Sequence, residues 1–294
     1  MADAPAAGRH DVPARDRWDA WLALAYEGDG RRTVLRRLGA RGPLYVQRPF
    51  YPEGARCHTY LLHPPGGIAG HDTLDISVCV REHAGALLTT PAAGKCYRSA
   101  GSEARVLQRL EVAAGGALEW LPQENLIFNG ARAHFDLRID LDPEARLLAL
   151  DGFGLGRPHS GETFEHGRLR QRVAVDLRSI AGPQPLLRER FELTGGDRAL
   201  AAPWGLKGAA AFGALYAYPA EPELLRWLRA RLNDSIWQQQ APVVLTATLI
   251  DGLLVVRAMA TELEAQTLAL RAAWSLLREP ILGASPNPPR IWNT

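Results

Sequence analysis

The residues of this sequence best suited to chemistry are single histidines and carboxylates beside turns. Between Gly42 and Asp75 the chain places Cys57, His58, His63 and His71 among two Pro/Gly-rich turns, and further on Glu124, Asp151 and Glu162 join Asp72 as turn-side acids. Imidazole nitrogens and carboxylate oxygens are the usual ligands of divalent cations. Each group also has a plainer role. His63, just before Pro64-Pro65, fits a strand-end residue bonded to backbone, and Asp72, Glu124, Asp151 and Glu162 fit turn or cap acceptors. Cys57, Cys79 and Cys96 match no zinc-ribbon or CxxC spacing and read as reduced, small hydrophobes.

Several activities lack their motif. Ser160-Gly161 has no glycine two positions before the serine, so no nucleophile elbow forms. No HExxH is present, and Gly94-Lys95 has Thr89 where a phosphate loop needs its first glycine. The run Gly152-Phe153-Gly154-Leu155-Gly156-Arg157 is glycine-rich, but without a βαβ context it reads as tight turns or close backbone approach. An enzyme is therefore not expected, and any nucleoside triphosphate would be bound by another protein.

The elements that must position these groups are mostly strands. Leu74, Ile76, Val78 and Val80 alternate with Asp75, Ser77 and Cys79, and the same order recurs from Ala133 to Leu141 and from Leu169 to Leu177. Such period-two patterning marks half-buried strands. Alternation along 55–63 sets Cys57, Leu61 and His63 on one face and His58, Tyr60 and Leu62 on the other, so one metal ion cannot take Cys57 and His58 together without a bulge. Asp251-Gly252 joins a hairpin of Val243–Ile250 and Leu253–Ala258. Helices are expected near 221–239 and 262–279, the second opened by a Thr261-to-Glu264 capping box and stopped by Pro280. Trp227, Trp237 and Trp274 lie on them and suit partner anchors as well as core packing. No fixed-length repeat is visible, which argues against a regular solenoid.

With 294 residues, 47% hydrophobic and 22% charged, the chain fits an ordinary folded protein. It reads as a disordered tail over 1–15 and one mostly β domain over 16–294. A net charge of +2, from 34 basic and 32 acidic residues, argues against nucleic acid as partner. Neither a signal peptide nor a membrane span is evident, so the expected location is the cytoplasm.

Three stretches carry a specific likeness: GPLYVQRPFYPEG from Gly42, CHTYLLHPPGG from Cys57, and Gly70-His71-Asp72. Further matches are Leu88 to Pro91, Lys95 to Ser99, Leu118 to Glu124, Gly130 to Arg132, Leu155 to Arg157 with Gly161-Glu162, and Pro289 to Trp292. In these the sequence resembles the urease accessory protein D (UreD, also UreH) family. It departs from the family pattern at His71, Cys96 and Asn129, where glycine, phenylalanine and aspartate are usual. The resemblance implies a β-helix-like fold with two helices and a non-catalytic assembly factor. Its partners would be the urease apoprotein and accessory proteins F and G, with protein G as the GTPase. Its cargo would be transient Ni2+, with no tightly bound cofactor. A factor that hands on an ion must hold it weakly, which favours scattered ligands over a closed cage. Asp72, Glu124, Asp151 and Glu162, with His63 or His71, are the expected route, and the tryptophans the expected docking points. The alternatives are a metal-dependent hydrolase, needing three converging ligands, or a β-rich small-ligand module with a deep pocket.

Overall fold

A computed structural model describes residues 18–234 and 243–293. The expected tail over 1–15, the end of the first expected helix and Trp237 lie outside them. The chain opens with an antiparallel pair, β1 (Asp19–Gly28) and β2 (Thr33–Arg41), followed by a short β3 (Tyr45–Val46) and then β4 (Cys57–Leu62). From there it winds alternately through two sheets. β5 (Thr73–Val80), β8 (Ala104–Val112), β11 (Arg132–Leu141) and β13 (Arg168–Leu177) stack in parallel beside β1. β6 (Gly85–Thr89), β9 (Ala117–Leu121) and β12 (Arg146–Leu155) stack in parallel beside β4, and the short β7 (Gly94–Cys96) and β10 (Asn125–Ile127) extend that sheet.

The stacking is solenoid-like, as the β-helix-like expectation has it, and irregular, as the missing repeat suggests. Thr73 pairs with Arg105, Ala104 with Ala133 and Arg132 with Arg168, so successive coils differ in length and leave no fixed period. Antiparallel strands close both ends. At one, β2 and β3 lie outermost; at the other, β14 (Gln184–Thr194) covers β13, while β15 (Ala211–Tyr218), β17 (Leu253–Ala260) and β16 (Val243–Ile250) follow β12. Asp251 and Gly252, at φ of 45° and 83°, make the expected tight turn of the last hairpin.

Two helices cover the outer face of the ten-stranded sheet. They are α1 (Pro222–Asp234) and α2 (Leu263–Leu282), the latter lying across β12, β15 and β17. The resulting three layers explain the burial patterns. The central strands of the covered sheet are buried on both faces, so all of β9 (ALEWL) is enclosed, whereas β5 alternates because its outer face meets solvent. The glycine run is also accounted for. A side chain at Gly154 would crowd Leu263 of α2, and one at Gly213 of β15 would meet Asp151 O and Gln266 Nε2, each at 2.6 Å. These glycines let the helix approach the sheet.

Two details of α2 differ from expectation. Its N-cap is Glu262, whose side chain makes no cap bond and instead lies 3.2 Å from His159 Nε2, so no capping box forms. Pro280 does not stop the helix, because it falls in the last turn, which closes through the Gly283 N–H to Glu279 O (2.9 Å) with Gly283 in the left-handed region.

A buried ionic cluster fastens α2 down. Glu119 on β9 and Arg278 on α2 are both wholly enclosed. Arg278 donates through Nε to Glu119 Oε2 (3.0 Å) and through Nη2 to Glu119 Oε1 (2.9 Å) and Glu53 (2.6 and 2.8 Å). Trp274 Nε1 donates to Glu119 Oε2 (2.9 Å), and Arg56 Nη1 lies 3.3 Å from Glu119 Oε1. His58 Nε2 approaches Glu53 Oε1 at 2.9 Å, off the line of an ideal hydrogen bond. Burial alone would raise the Glu53 carboxyl, but contacts from His58 and Arg278 outweigh it and hold it at about 2. A folded-state value below the unfolded one contributes stability above the ordinary carboxylate range, lost as pH falls toward about 2.

Removing one partner should therefore be costly. Arg278→Met leaves Glu119 buried with a weakened set of donors and is expected to lower unfolding free energy by about 3–5 kcal/mol in urea titration. A loss below about 1 kcal/mol, the scale of an exposed pair, would mean that the cluster does not hold the helix.

Candidate functional site

The space between the two sheets holds a cavity of about 200 Å3 bordered by His63, Ile68, Gln108, Trp120, Phe135 and the 91–95 loop. β4 delivers His63 to its edge, as alternation along that strand requires. His63 Nε2 and Trp120 Nε1 are both buried without a protein partner, and such groups are ordinarily satisfied by water or a ligand. Burial pushes the His63 imidazole below its usual value, with Asp72 opposing, so the neutral ring with one free lone pair is favoured.

Beyond Phe135 the interior turns aromatic and then polar. Phe135 meets Phe153 edge-on (5.0 Å between centroids), Phe153 stacks on Phe212 (5.4 Å), and Phe212 meets Phe191 (5.0 Å). Beside these rings Asp151 of β12, 5% exposed, accepts a hydrogen bond from Gln171 Nε2 of β13 (2.6 Å). Burial pushes the Asp151 carboxyl up to about 7, with the Gln171 bond pulling the other way. Tyr216 of β15 donates to Glu189 Oε2 (3.4 Å), and Arg257 of β17 pairs with Glu189. A short polar seam thus leads from the enclosed Asp151 and Tyr216 to Glu189 and Arg257, whose side chains are 32% and 38% exposed.

The other expected ligands are apart from this seam. Asp72 accepts from Trp18 N (2.9 Å) and Ala69 N (2.8 Å), one bond on each oxygen, in a turn role at the start of β5. His71 takes a positive φ of 76°, a conformation open to the glycine usual in the family pattern, and its Nε2 lies 2.6 Å from Ser102 Oγ. Glu124 lies beneath α2, 3.6 Å from Arg271 Nη2. Glu162 accepts from Asn129 N (2.8 Å) and Arg157 Nε (3.1 Å), and these bonds hold its carboxyl below the usual range. Asn129 Oδ1 in turn accepts from the amides of Glu165 and His166, so the amide that replaces aspartate is built into the loop. Among the described residues, no three His, Cys, Asp or Glu side chains come together as a metal cage.

Comparison with known proteins gives this geometry its context. The family profile described as UreD urease accessory protein matches residues 19–293, which takes in both sheets, both helices and the seam. The chain belongs to the UreD family. Relatives named urease accessory protein UreD include one from Alkalilimnicola ehrlichii, 45% identical over 96% of this chain and 94% of its own length. One from Pseudomonas putida strain W619 is 43% identical over 94% and 95%, and one from Alcanivorax borkumensis is 41% identical over 98% of each.

Other features of this UreD-family chain refine the sequence reading. Trp274 is 0% exposed and donates to Glu119, so it is a core residue and cannot anchor a partner from the surface. Trp227 is half-buried under the Arg231 guanidinium, 4.1 Å from its ring centre. Cys57 and Cys96 are buried, Cys79 is half-buried, and burial pushes the Cys96 thiol up to about 12, far from a reactive thiolate. Sequence reasoning missed Gln108, Gln171, Tyr216, Glu189 and Arg257. Their one signal was a polar residue at an inward position of an alternating strand. Among the described residues, no helix is long and apolar enough to cross a membrane.

The Asp151 value gives a signed prediction. Its folded-state value exceeds the unfolded one, so its contribution is fully present at low pH and lost as pH rises through about 7. Asp151→Asn should raise the melting temperature at pH 8 and leave it unchanged near pH 4. An equal shift at both values would show that the carboxyl does not carry this burial cost.

Proposed function

We propose that this chain acts in urease maturation, holding nickel ions briefly and passing them toward the urease apoprotein within an assembly that includes accessory proteins F and G. It works in the cytoplasm, catalyses no turnover of its own, and leaves GTP hydrolysis to protein G. The observation that supports this reading is the solenoid-like interior, where His63 borders the cavity with an unpartnered Nε2 and Asp151 sits apart from it in the polar seam. One neutral imidazole and one carboxylate with a raised proton affinity offer an ion brief contacts, whereas a closed set of thiolates and imidazoles would retain a divalent ion high in the affinity order. A conducting site must likewise bind well enough to admit an ion and weakly enough to release it. Asp72, Glu124, Glu162 and His71 complete the proposed route outside this interior. In them the ion competes with backbone amides, arginines and the Ser102 hydroxyl, which keeps each contact weak.

The cavity also favours a second reading, a small-ligand module, because its lining is mostly apolar and His63 and Trp120 offer two polar atoms. Expression of a urease operon with the wild-type gene, without it, and with His63→Ala/Asp151→Ala separates the two. Nickel per urease should fall by about tenfold or more without the gene and several-fold with the double variant, on the scale seen when groups supporting a metal are removed. Unchanged nickel in the double variant would remove these residues from the route. Full nickel loading without the gene would overturn the maturation role.

A further inference from the structure

The outer face of the seven-stranded sheet, turned away from the helices, carries a charge pattern that the interior route does not use. Across β11, β13 and β14 the residues lie in level rows: His134, Arg170 and Glu192; then Asp136, Arg172 and Arg190; then Arg138, Ala174 and Arg188. Most of these charges are matched. Arg170 reaches Glu192 (3.1 Å) and Glu103 (3.4 Å), Arg138 forks onto Asp136 (3.2 and 3.3 Å), and Arg188 pairs with Asp176. Arg172 and Arg190 are different. They are exposed, stand directly opposite each other on antiparallel strands, and have no ion pair among the described residues.

Like charges directly opposite across a strand pair are destabilising. Here they border an open groove of about 580 Å3, with Ala174 as part of its lining and the arginines Arg138, Arg172, Arg188 and Arg190 around it. The acids in that lining, Asp136, Asp176 and Glu189, are already taken by Arg138, Arg188 and Arg257. What remains on offer is two guanidinium forks, the group that best matches a carboxylate. We infer that this groove docks a carboxylate-rich segment of a partner protein, with acidic side chains seated between Arg172 and Arg190. A polypeptide fits better than nucleic acid. Its carboxylates can be spaced to meet the arginines and avoid Asp136 and Asp176, whereas a continuous phosphate ladder would run over those acids. The inference takes from the proposed function only that the chain works inside a protein assembly.

The test uses the full chain and a fluorescent octaglutamate peptide, with an oligothymidylate of equal length as the nucleic-acid probe. The wild-type protein should bind the peptide in a salt-sensitive way, and Arg172→Glu/Arg190→Glu should weaken binding by about tenfold or more. Arg31→Glu/Arg37→Glu, an equal charge change near the opposite edge of the sheet, should not. Both variants are at exposed positions and should match the wild-type melting curve. Equal binding by all three proteins, equal loss in both variants, or tighter binding of the oligothymidylate would overturn the proposal. In a urease operon, Arg172→Glu/Arg190→Glu should also reduce co-purification of the assembly. Retained co-purification overturns the groove as a docking surface and leaves the maturation role standing, because that role is judged by deletion of the gene.

Discussion

The structure depends on a carboxylate enclosed with its cations between sheet and helix. Glu119 sits in a strand buried on both faces, where an isolated charge would be far too costly. It is stable there because Arg278, Arg56 and Trp274 surround it, and because Arg278 also binds Glu53 and the Ser285 carbonyl. One guanidinium therefore ties the loop before β4, the third layer and the segment after α2 into one unit. A hydrophobic interface would stabilise such a helix on its own, and these directed bonds add fixed partners for it on the sheet. The glycines at 154 and 213 allow the approach.

With the outer layer fixed, the interior can keep polar groups that do not contribute to folding. Asp151 with a carboxyl raised to about 7 is a cost near neutral pH, and His63 holds an unpartnered nitrogen. Groups that reduce stability and serve no packing role are commonly functional. In a transit role the two have complementary chemistry. A neutral imidazole accepts a divalent ion without losing a proton, whereas Asp151 must give one up, so occupancy there couples to pH. The aromatic rings of Phe135, Phe153, Phe212 and Phe191 line the same interior and supply no ligand that would arrest an ion.

Much of the architecture was legible in the sequence, because alternation is strong where one face meets solvent, as in β5 and β11, and because Asp251-Gly252 makes a turn that few other residues can. Less legible was what depends on residues far apart in the chain. Glu53, Glu119 and Arg278 meet across the whole length of the fold, and no local pattern announces that. Coils of unequal length left no repeat to read, so the β-helix-like expectation came from the family resemblance, and the glycine run, read as tight turns or close backbone approach, does bring Gly154 of β12 against Leu263 of the helix. Among the candidate ligands, His63 stands just after β4 on the face of Leu61, where alternation puts it, but its Nε2 has no partner where a backbone bond was expected. Asp151 was singled out as a turn-side acid and is instead a mid-strand residue sealed between sheets. The two tryptophans on the described helices show the limit of aromatic content as a docking signal, since Trp274 is enclosed and bonded to Glu119.

The most direct test is transfer of radiolabelled nickel in vitro to apo-urease from a nickel-loaded mixture of the accessory proteins, run with and without this chain in the presence of a chelator that captures free ions. The account predicts that label reaches urease in the presence of the chelator only when the chain is included. Equal labelling with and without it would contradict the account.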